Sequence, residues 1–376
     1  MNTRPVPDHP MTIRHVPPGI LDRIGRIFVN KHLTHLQQGS LQLISPEGSK
    51  QNFGDQGGEV QHLIVHENRF FRRIMLCGEI GFGEAYTDGD WSTDNLPGLL
   101  TLLAGNAELI NDRKVLTATL GRWFNVVRHL RRANTLKGSS RNIREHYDLS
   151  NDFFATFLDP SMTYSAALFQ NESESLEHAQ RNKLSTIIKK AGIGSSDHVL
   201  EIGCGWGSFA IETVRQTGCR VTGITLSHEQ LAMAQKRVKA AGLEEQIEFK
   251  ICDYRHIEGQ FDKIVSIEML EAVGHMGLKA FFRACDRALC PGGRAVIQVI
   301  TIPDHKYDAY RTSADWIRKH IFPGGHLPSI GALSKAMGSS SLILSRLENY
   351  GLDYARTLDL WRETLLQKRD RIFELG

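Results

Sequence analysis

Three glycines at alternating positions, Gly203, Gly205 and Gly207, follow a short apolar run that carries one acid, Glu201. The run predicts a buried strand, and the apolar residues after Gly207 predict a helix, so the glycines form the turn between the two. A turn without Cβ atoms lets backbone approach a ligand closely, at the carboxyl end of a strand where open α/β sheets bind nucleotides. These residues therefore predict a site for an adenosine-containing ligand.

The spacing of the glycines separates the candidate ligands. A dinucleotide site needs Gly-x-Gly-x-x-Gly, and a P-loop needs a Lys followed by Ser or Thr; this turn has neither pattern. The sequence Glu201-Ile202-Gly203-Cys204-Gly205 instead resembles motif I of the class I S-adenosylmethionine-dependent methyltransferases. The alternative interpretation is a plain tight turn in some other α/β domain.

Composition is that of an ordinary globular protein. The 376 residues favour two domains, and 41% hydrophobic with 23% charged residues allow a large core. The net charge of +3 gives no argument for nucleic acid as a partner. The six cysteines show neither a disulfide framework nor a Cys-x-x-Cys metal pattern, so we expect a reducing cytosol and no bound metal. No run approaches the ~18 apolar residues of a spanning helix, so we expect neither export nor a membrane span.

The first part of the chain is predicted to hold a leader and a small domain. Residues 1–19, rich in proline, predict a flexible leader, and residues 20–110 predict a small α+β domain. The stretch 81–91, dense in glycine and aromatic residues, predicts a turn with packed rings. Within the small domain, apolar periodicity predicts two strands and two helices, at 41–44, 62–65, 70–76 and 96–104.

Residues 111–143 predict a basic amphipathic linker helix. Between positions 121 and 144 there are seven Lys and Arg residues and no acid, and apolar residues recur among them at helical spacing. Such a helix can lie on an anionic bilayer, to which each surface cation contributes about 1 kcal/mol. Alternatively its apolar stripe packs on the second domain and its arginines are simply solvated. Single-stranded nucleic acid is a weaker interpretation because stacking aromatic residues are missing elsewhere.

From residue 144 the chain resembles the cyclopropane-fatty-acyl-phospholipid synthase family. The resemblance begins at 144–154 (REHYDLSNDFF) and 157–165 (FLDPSMTYS). It extends over about residues 20–376. Its further matching segments are 203–207, 225–230, 271–275, 321–325, 327–329 and 354–361.

This resemblance implies S-adenosylmethionine as the cofactor. The strand at 220–224 ends without the carboxylate that most nucleotide folds present to ribose hydroxyls, so Gln230 is a plausible substitute. Asp253 offers an acceptor for the adenine amine, and Tyr254 offers an aromatic face; the alternative for Tyr254 is an ordinary packed ring. The cofactor residues implied are Tyr164, Ser165, Glu201, Gly203, Cys204, Gly205, Gly207, Thr225, Leu226, Gln230, Asp253 and Tyr254.

The resemblance also implies the chemistry. A methyl group goes from the sulfonium to a cis double bond of a phospholipid acyl chain, and the resulting carbocation loses a proton to bicarbonate as a cyclopropane ring closes. Glu271 matches the family glutamate that positions bicarbonate, while Gln298 and the backbone of Ile300 fall at two further anion contacts. A dry pocket is needed, since water would trap the cation. We expect Glu268 only to cap the next helix or to meet solvent.

Three departures from the family pattern put the product in doubt. Ala166 replaces a cysteine that helps to hold bicarbonate, Gln298 replaces the histidine of many members, and the sequence stops at Gly376. Members usually continue into a terminal helix that supplies an active-site tyrosine, so the C-terminal end looks truncated. Proton removal, not methyl transfer, depends on these groups. The cation could therefore be resolved to a methylene- or methyl-branched chain, or the protein could be poorly active.

Together these features predict a class I methyltransferase with a Rossmann-like α/β sheet and helices on both faces, at residues 144–376, preceded by the smaller α+β domain. We expect it to act on phospholipid acyl chains at an anionic membrane surface, in the cytoplasm and peripheral to the inner face of the membrane. A homodimer is the candidate assembly, and the sequence does not specify the oligomeric state. Two alternatives stay open: a methyltransferase for a soluble small molecule, and a lipid-binding protein that has lost catalysis.

Overall fold

The chain divides into two compact units. A computed structural model describes residues 17–55, 57–106 and 150–375. The described residues up to 106 form the first unit together with 314–316, and residues 150–313 and 317–375 form the second. Most of the leader predicted at 1–19 and the whole basic segment predicted at 111–143 lie outside the described residues.

The first unit contains a four-stranded sheet with strand order β2-β1-β3-β4. β1 pairs antiparallel with β2 and parallel with β3. β2 was not predicted, because its sequence KQNFG has no apolar alternation and its pairing with β1 is what makes it a strand. The strands are β1 (Ser40–Ile44), β2 (Lys50–Gly54), β3 (Val60–Val65) and β4 (Trp91–Ser92).

Three helices accompany this sheet: α1 (Ile20–Leu33), α2 (Arg69–Thr87) and α3 (Leu96–Gly105). The turn predicted over 81–91 is wrong up to Thr87, because α2 continues to that residue. The predicted ring packing is present, with Phe82 and Trp91 stacked at 4.3 Å between centroids. The Trp91 ring is buried in a core that also holds Phe70 and Leu41.

The second unit contains a five-stranded sheet in which every pair is parallel, with strand order β7-β6-β5-β8-β9. The chain starts at the central strand, moves outwards to one edge, and then returns past β5 to build the other side. Ligands of such sheets bind at the carboxyl ends of the strands near this reversal. The strands are β5 (His198–Ile202), β6 (Arg220–Thr225), β7 (Ile247–Ile251), β8 (Phe261–Ile267) and β9 (Leu289–Gln298).

Helices cover both faces of this sheet, as predicted. Successive side chains of β5 point to opposite faces, so Val199 joins one apolar cluster while Leu200 and Ile202 join the other. The helices from residue 150 onwards are α4 (Asn151–Phe157), α5 (Leu176–Ala191), α6 (Ser208–Thr217), α7 (His228–Ala241), α8 (Leu278–Ala288), α9 (Asp304–Arg311), α10 (Trp316–His320), α11 (Ile330–Met337), α12 (Gly351–Gln367) and α13 (Arg369–Glu374).

The described residues contain neither a candidate membrane span nor a candidate metal cluster. None of the helices they form has both the length and the apolar character that crossing a bilayer requires. Within the same ranges, the His, Cys, Asp and Glu side chains form no group of three or more that could hold a metal ion.

Candidate active site

A cleft opens at the carboxyl ends of β5, β6 and β8, with about 980 Å³ of empty space that is partly open to solvent. Most of the residues implied as cofactor contacts line it, and Gly207 and Asp253 do not. Those that line it are Tyr164, Ser165, Glu201, Gly203, Cys204, Gly205, Thr225, Leu226, Gln230 and Tyr254.

The three glycines of the turn have different reasons to be glycine. All three have positive φ, at 85° for Gly203, 51° for Gly205 and 82° for Gly207. A Cβ at Gly203 would lie 2.6 Å from the Met269 side chain, and one at Gly207 would lie 2.9 Å from the Phe249 ring. A Cβ at Gly205 would meet no protein atom within 4 Å. Gly205 therefore keeps open the space that a ligand can approach, whereas the other two permit close packing of the protein.

The backbone N–H groups of the turn do not all face the cleft. Those of Gly203 and Cys204 donate to the carbonyl of Ile224, at 2.9 and 3.0 Å. They fasten the turn to the end of β6. Close backbone approach, rather than these two N–H groups, is what the turn offers a ligand.

Glu201 brings a buried carboxylate to the cleft. Only 3% of the residue is exposed, and its Oε2 is buried and accepts no hydrogen bond from the described residues. Burial raises the pKa of this carboxyl, opposed by the backbone N–H of Ala210 and the positive charge of Lys183. An orphaned carboxylate oxygen at a cleft is suited to accept from a cationic donor, and the ammonium of S-adenosylmethionine is such a group.

Gln230 is held so that its amide nitrogen can face a ligand. The Thr225 hydroxyl donates to the Gln230 Oε1 at 3.0 Å, and the backbone N–H of Gln230 donates to the Ser227 hydroxyl at 3.2 Å. With its carbonyl engaged, the side chain offers Nε2 as a donor. This fits the predicted contact with ribose hydroxyl oxygens.

The two implied cofactor residues that do not line the cleft have structural roles instead. Gly207 is the N-cap residue of α6. The Asp253 carboxylate pairs with the Arg255 guanidinium at 2.6 Å and also accepts from the Arg255 backbone N–H. Asp253 therefore fixes the loop that carries Tyr254, whose ring is 5.6 Å from that of Phe281.

Glu268 is the site residue that the sequence interpretation missed. It lines the cleft just after β8, with a positive φ of 48° that is rare for a residue other than glycine. Its Oε1 accepts from the Ala166 backbone N–H at 2.9 Å and from the Gln298 Nε2 at 2.8 Å. The expected capping role is wrong, because the next short helix, Leu270–Ala272, has Met269 as its N-cap residue and no side-chain cap.

Glu271 does not line the cleft, although it lies close enough to Glu268 for the charge of Glu268 to act on it. Its Oε1 accepts the backbone N–H of Ile300 at 2.5 Å, while its Oε2 is buried and has no partner among the described residues. Burial, and next the negative charge of Glu268, raise the pKa of Glu271 to about 8. The structure thus joins Glu271 to the backbone of Ile300, while Gln298 binds a second carboxylate, that of Glu268.

Two further residues of this region were not predicted. Lys183 on α5 is buried, and its Nζ donates to the Ser165 hydroxyl at 2.6 Å. Burial lowers its pKa to about 8, opposed by the charges of Glu268, Asp159 and Glu201. Helical spacing could have identified it, since the buried face of α5 includes positions 179, 183, 184, 187 and 188. For Tyr354 on α12, burial and the charge of Glu268 raise the phenol pKa, and nothing in the sequence connects these two residues.

Comparison with known proteins identifies the family. Residues 134–376 match the family described as mycolic acid cyclopropane synthetase. The chain belongs to this family. It is 38% identical to the tuberculostearic acid methyltransferase UfaA1 of Mycobacterium tuberculosis, over 97% of this chain and 86% of that protein. It is 35% identical to the cyclopropane-fatty-acyl-phospholipid synthase of Escherichia coli, over 82% and 78% respectively.

A solved member of the cyclopropane synthase family has the same fold. The mycolic acid cyclopropane synthase CmaA1, complexed with SAH and CTAB, superposes with a TM-score of 0.59 at 30% identity, over 63% of this chain and 86% of that one. The chain is therefore a class I methyltransferase, and S-adenosylmethionine is its cofactor. The orphaned Glu201 oxygen and the open position at Gly205 fit that cofactor.

Proposed function

We propose that this methyltransferase adds the methyl group of S-adenosylmethionine to a cis double bond in the acyl chain of a phospholipid. The observation that carries the proposal is the lining of the cleft beside the glycine turn. Met162, Ile267 and Met269 give an apolar wall there, and Glu268 is the carboxylate set into it. An alkene needs apolar surroundings, and a carbocation needs a nearby negative charge and little water.

The reaction needs a bound, oriented cofactor and a dry apolar surface for the alkene, and different residues of the site provide the two. When bound, S-adenosylmethionine supplies an electrophilic methyl group. Glu201, Gln230 and the open turn at Gly205 bind and orient the cofactor, and the apolar wall holds the alkene and excludes water. Attack by the alkene electrons leaves a cation on the acyl chain. Loss of a proton from the added methyl then closes a cyclopropane ring, or gives a methylene branch after a hydride shift.

The relatives support an acyl-chain substrate. UfaA1 is named for tuberculostearic acid and the Escherichia coli relative for fatty-acyl phospholipid. The basic segment 111–143 supports a phospholipid presented at an anionic surface, at the cytoplasmic face of a membrane. A soluble acceptor is the alternative, and the apolar wall disfavours it.

The test uses the full chain, methyl-labelled S-adenosylmethionine and vesicles of a monounsaturated anionic phospholipid. We expect label in the extracted lipid and a mass increase of one CH₂ unit per double bond, with no label in vesicles of the saturated phospholipid. Label that stays in the aqueous phase would instead indicate a soluble acceptor. Cofactor binding by calorimetry without label in any lipid would indicate a lipid-binding protein that has lost catalysis.

A further inference from the structure

The hydrogen-bond donors of the anion site that the family resemblance implies are already engaged by side chains of this protein. The resemblance implies bicarbonate contacts at Glu271, Gln298 and the backbone of Ile300, and Ala166 lacks the cysteine side chain that would add another. In the structure, the Gln298 Nε2 and the Ala166 N–H both donate to Glu268, and the Ile300 N–H donates to Glu271. The Ala166 carbonyl accepts a further contact from the Gln298 Nε2 at 3.3 Å. The donors for a bound anion are therefore engaged by carboxylates of the chain.

The charges of the cluster also disfavour a second anion. Burial raises the pKa of Glu268, and the two N–H groups that donate to its Oε1 oppose this rise by favouring the ionised form. Burial and the charge of the neighbouring Glu268 raise the pKa of Glu271 to about 8, which favours its protonated form at neutral pH. The ammonium of Lys183 acts on Glu268 from a distance but is bound to the Ser165 hydroxyl. A bicarbonate ion here would meet a like charge in a poorly solvated site.

We propose that Glu268 is the resident proton acceptor of this enzyme and makes its reaction independent of bicarbonate. The inference rests on the proposed methyl transfer to an alkene. Both hydrogen bonds to Glu268 end on Oε1, so Oε2 is the oxygen that can receive a proton from a substrate in the cleft. The C–H bond of the added methyl breaks, its electron pair forms the new carbon–carbon bond, and the proton goes to Oε2. It returns to solvent when the product leaves.

The neighbouring departures from the family pattern fit this assignment. Ala166 has no side-chain donor, so its backbone N–H contacts Glu268 directly. Gln298 can serve the same carboxylate because its amide nitrogen donates without needing to be protonated. The positive φ of Glu268, rare for a residue other than glycine, places its side chain between these two donors.

The test compares the wild-type chain with Glu268→Gln and Glu268→Ala in buffer freed of carbon dioxide, with and without added sodium bicarbonate. Methyl transfer to monounsaturated vesicles is measured. We expect wild-type turnover to be the same within twofold in both buffers. Glu268→Gln should lose roughly 10²- to 10⁴-fold in turnover, the usual contribution of a general base, with cofactor affinity by calorimetry nearly unchanged. Glu268→Ala frees the donors of Ala166 and Gln298, so formate or bicarbonate should restore part of its activity.

Glu348→Gln, which alters an exposed carboxylate paired with Lys190, is the matched control and should behave as wild type. Wild-type turnover that needs bicarbonate would overturn this inference and leave the proposed function intact. Full activity of Glu268→Gln, or no rescue of a cofactor-binding Glu268→Ala by either anion, would also overturn it. Absence of any methyl transfer to lipid by the wild type would contradict the proposed function and this inference together.

Discussion

Gln298 and Glu268 are joined twice at the ends of β9 and β8. The Gln298 Nε2 donates to the Glu268 Oε1 at 2.8 Å, and the Glu268 backbone N–H donates to the Gln298 carbonyl at 2.9 Å. The backbone bond continues the parallel pairing of Ile267 with Gln298. The sheet itself therefore determines which side chain can bind the carboxylate at the cleft.

This pairing predicts a shift in the pH profile of Gln298→Leu. Burial raises the pKa of Glu268, and hydrogen bonds from Ala166 and Gln298 oppose the rise. Removing one donor raises that pKa further, so a higher pH is needed to ionise the base. We expect the acid limb of kcat against pH to move upwards by about one unit. Gln216→Leu on the exposed side of α6 is the control, and an identical profile for Gln298→Leu and wild type would contradict the pairing.

The protonation of Glu271 predicts how stability depends on pH. Its pKa is about 8 in the folded chain against an ordinary 4.5, so the folded state binds more protons between these values. The stabilisation that comes from this raised pKa is complete below pH 4.5 and is lost as the pH rises through about 8. Glu271→Gln should therefore gain stability relative to wild type as pH rises across this window.

Urea unfolding at several pH values measures the difference. Glu348→Gln is the control. The hydrogen bond and ion pair with Lys190 lower the pKa of Glu348, so its contribution to the pH dependence of stability lies below pH 4.5. A constant difference between Glu271→Gln and wild type from about pH 5 to pH 8 would show that Glu271 is ionised throughout.

The open position at Gly205 predicts a selective loss of cofactor binding in Gly205→Ala. Its added methyl meets no protein atom within 4 Å and so enters the space that the cofactor approaches. We expect Kd for S-adenosylmethionine to rise at least tenfold, ~1.4 kcal/mol, by calorimetry. Gly242→Ala is the matched control: Gly242 also has positive φ and open surroundings but ends α7.

Both alanine variants should lose about 1 kcal/mol of stability from backbone strain. Only Gly205→Ala should lose cofactor affinity. Equal affinities in the two variants would remove the glycine turn from the cofactor site.

The basic segment predicts how the protein meets a membrane. Replacing Arg128, Arg131 and Arg132 by glutamate reverses three charges and should weaken binding to anionic vesicles at least tenfold, by sedimentation. The control reverses three exposed cations elsewhere, Arg181, Lys189 and Lys239. Binding that is insensitive both to the triple arginine change and to salt would leave this segment as a linker.

The sequence predicted well the features that depend on residues close together in the chain. The glycine turn, the strand before it and the helix after it depend on a few consecutive residues, and most of the implied cofactor contacts then follow from parallel strands ending at one edge. The first helix was missed, although Asp22 accepts the Gly19 N–H at its start.

The role of Glu268 could not be predicted because it depends on contacts distant in sequence. Its partners Ala166 and Gln298 are 102 and 30 positions away, and the positive φ that turns it towards them leaves no pattern in a sequence. Tyr354 likewise reaches this cluster from α12. Strand order and helix packing, rather than any motif, bring these groups near Glu268.

The most direct measurement is mass spectrometry of lipids from cells that express the protein, compared with cells that express Gly205→Ala. We predict that unsaturated phospholipid acyl chains gain the mass of one CH₂ unit in the first cells and stay largely unmodified in the second. Unchanged lipids in cells whose purified protein binds S-adenosylmethionine would contradict it.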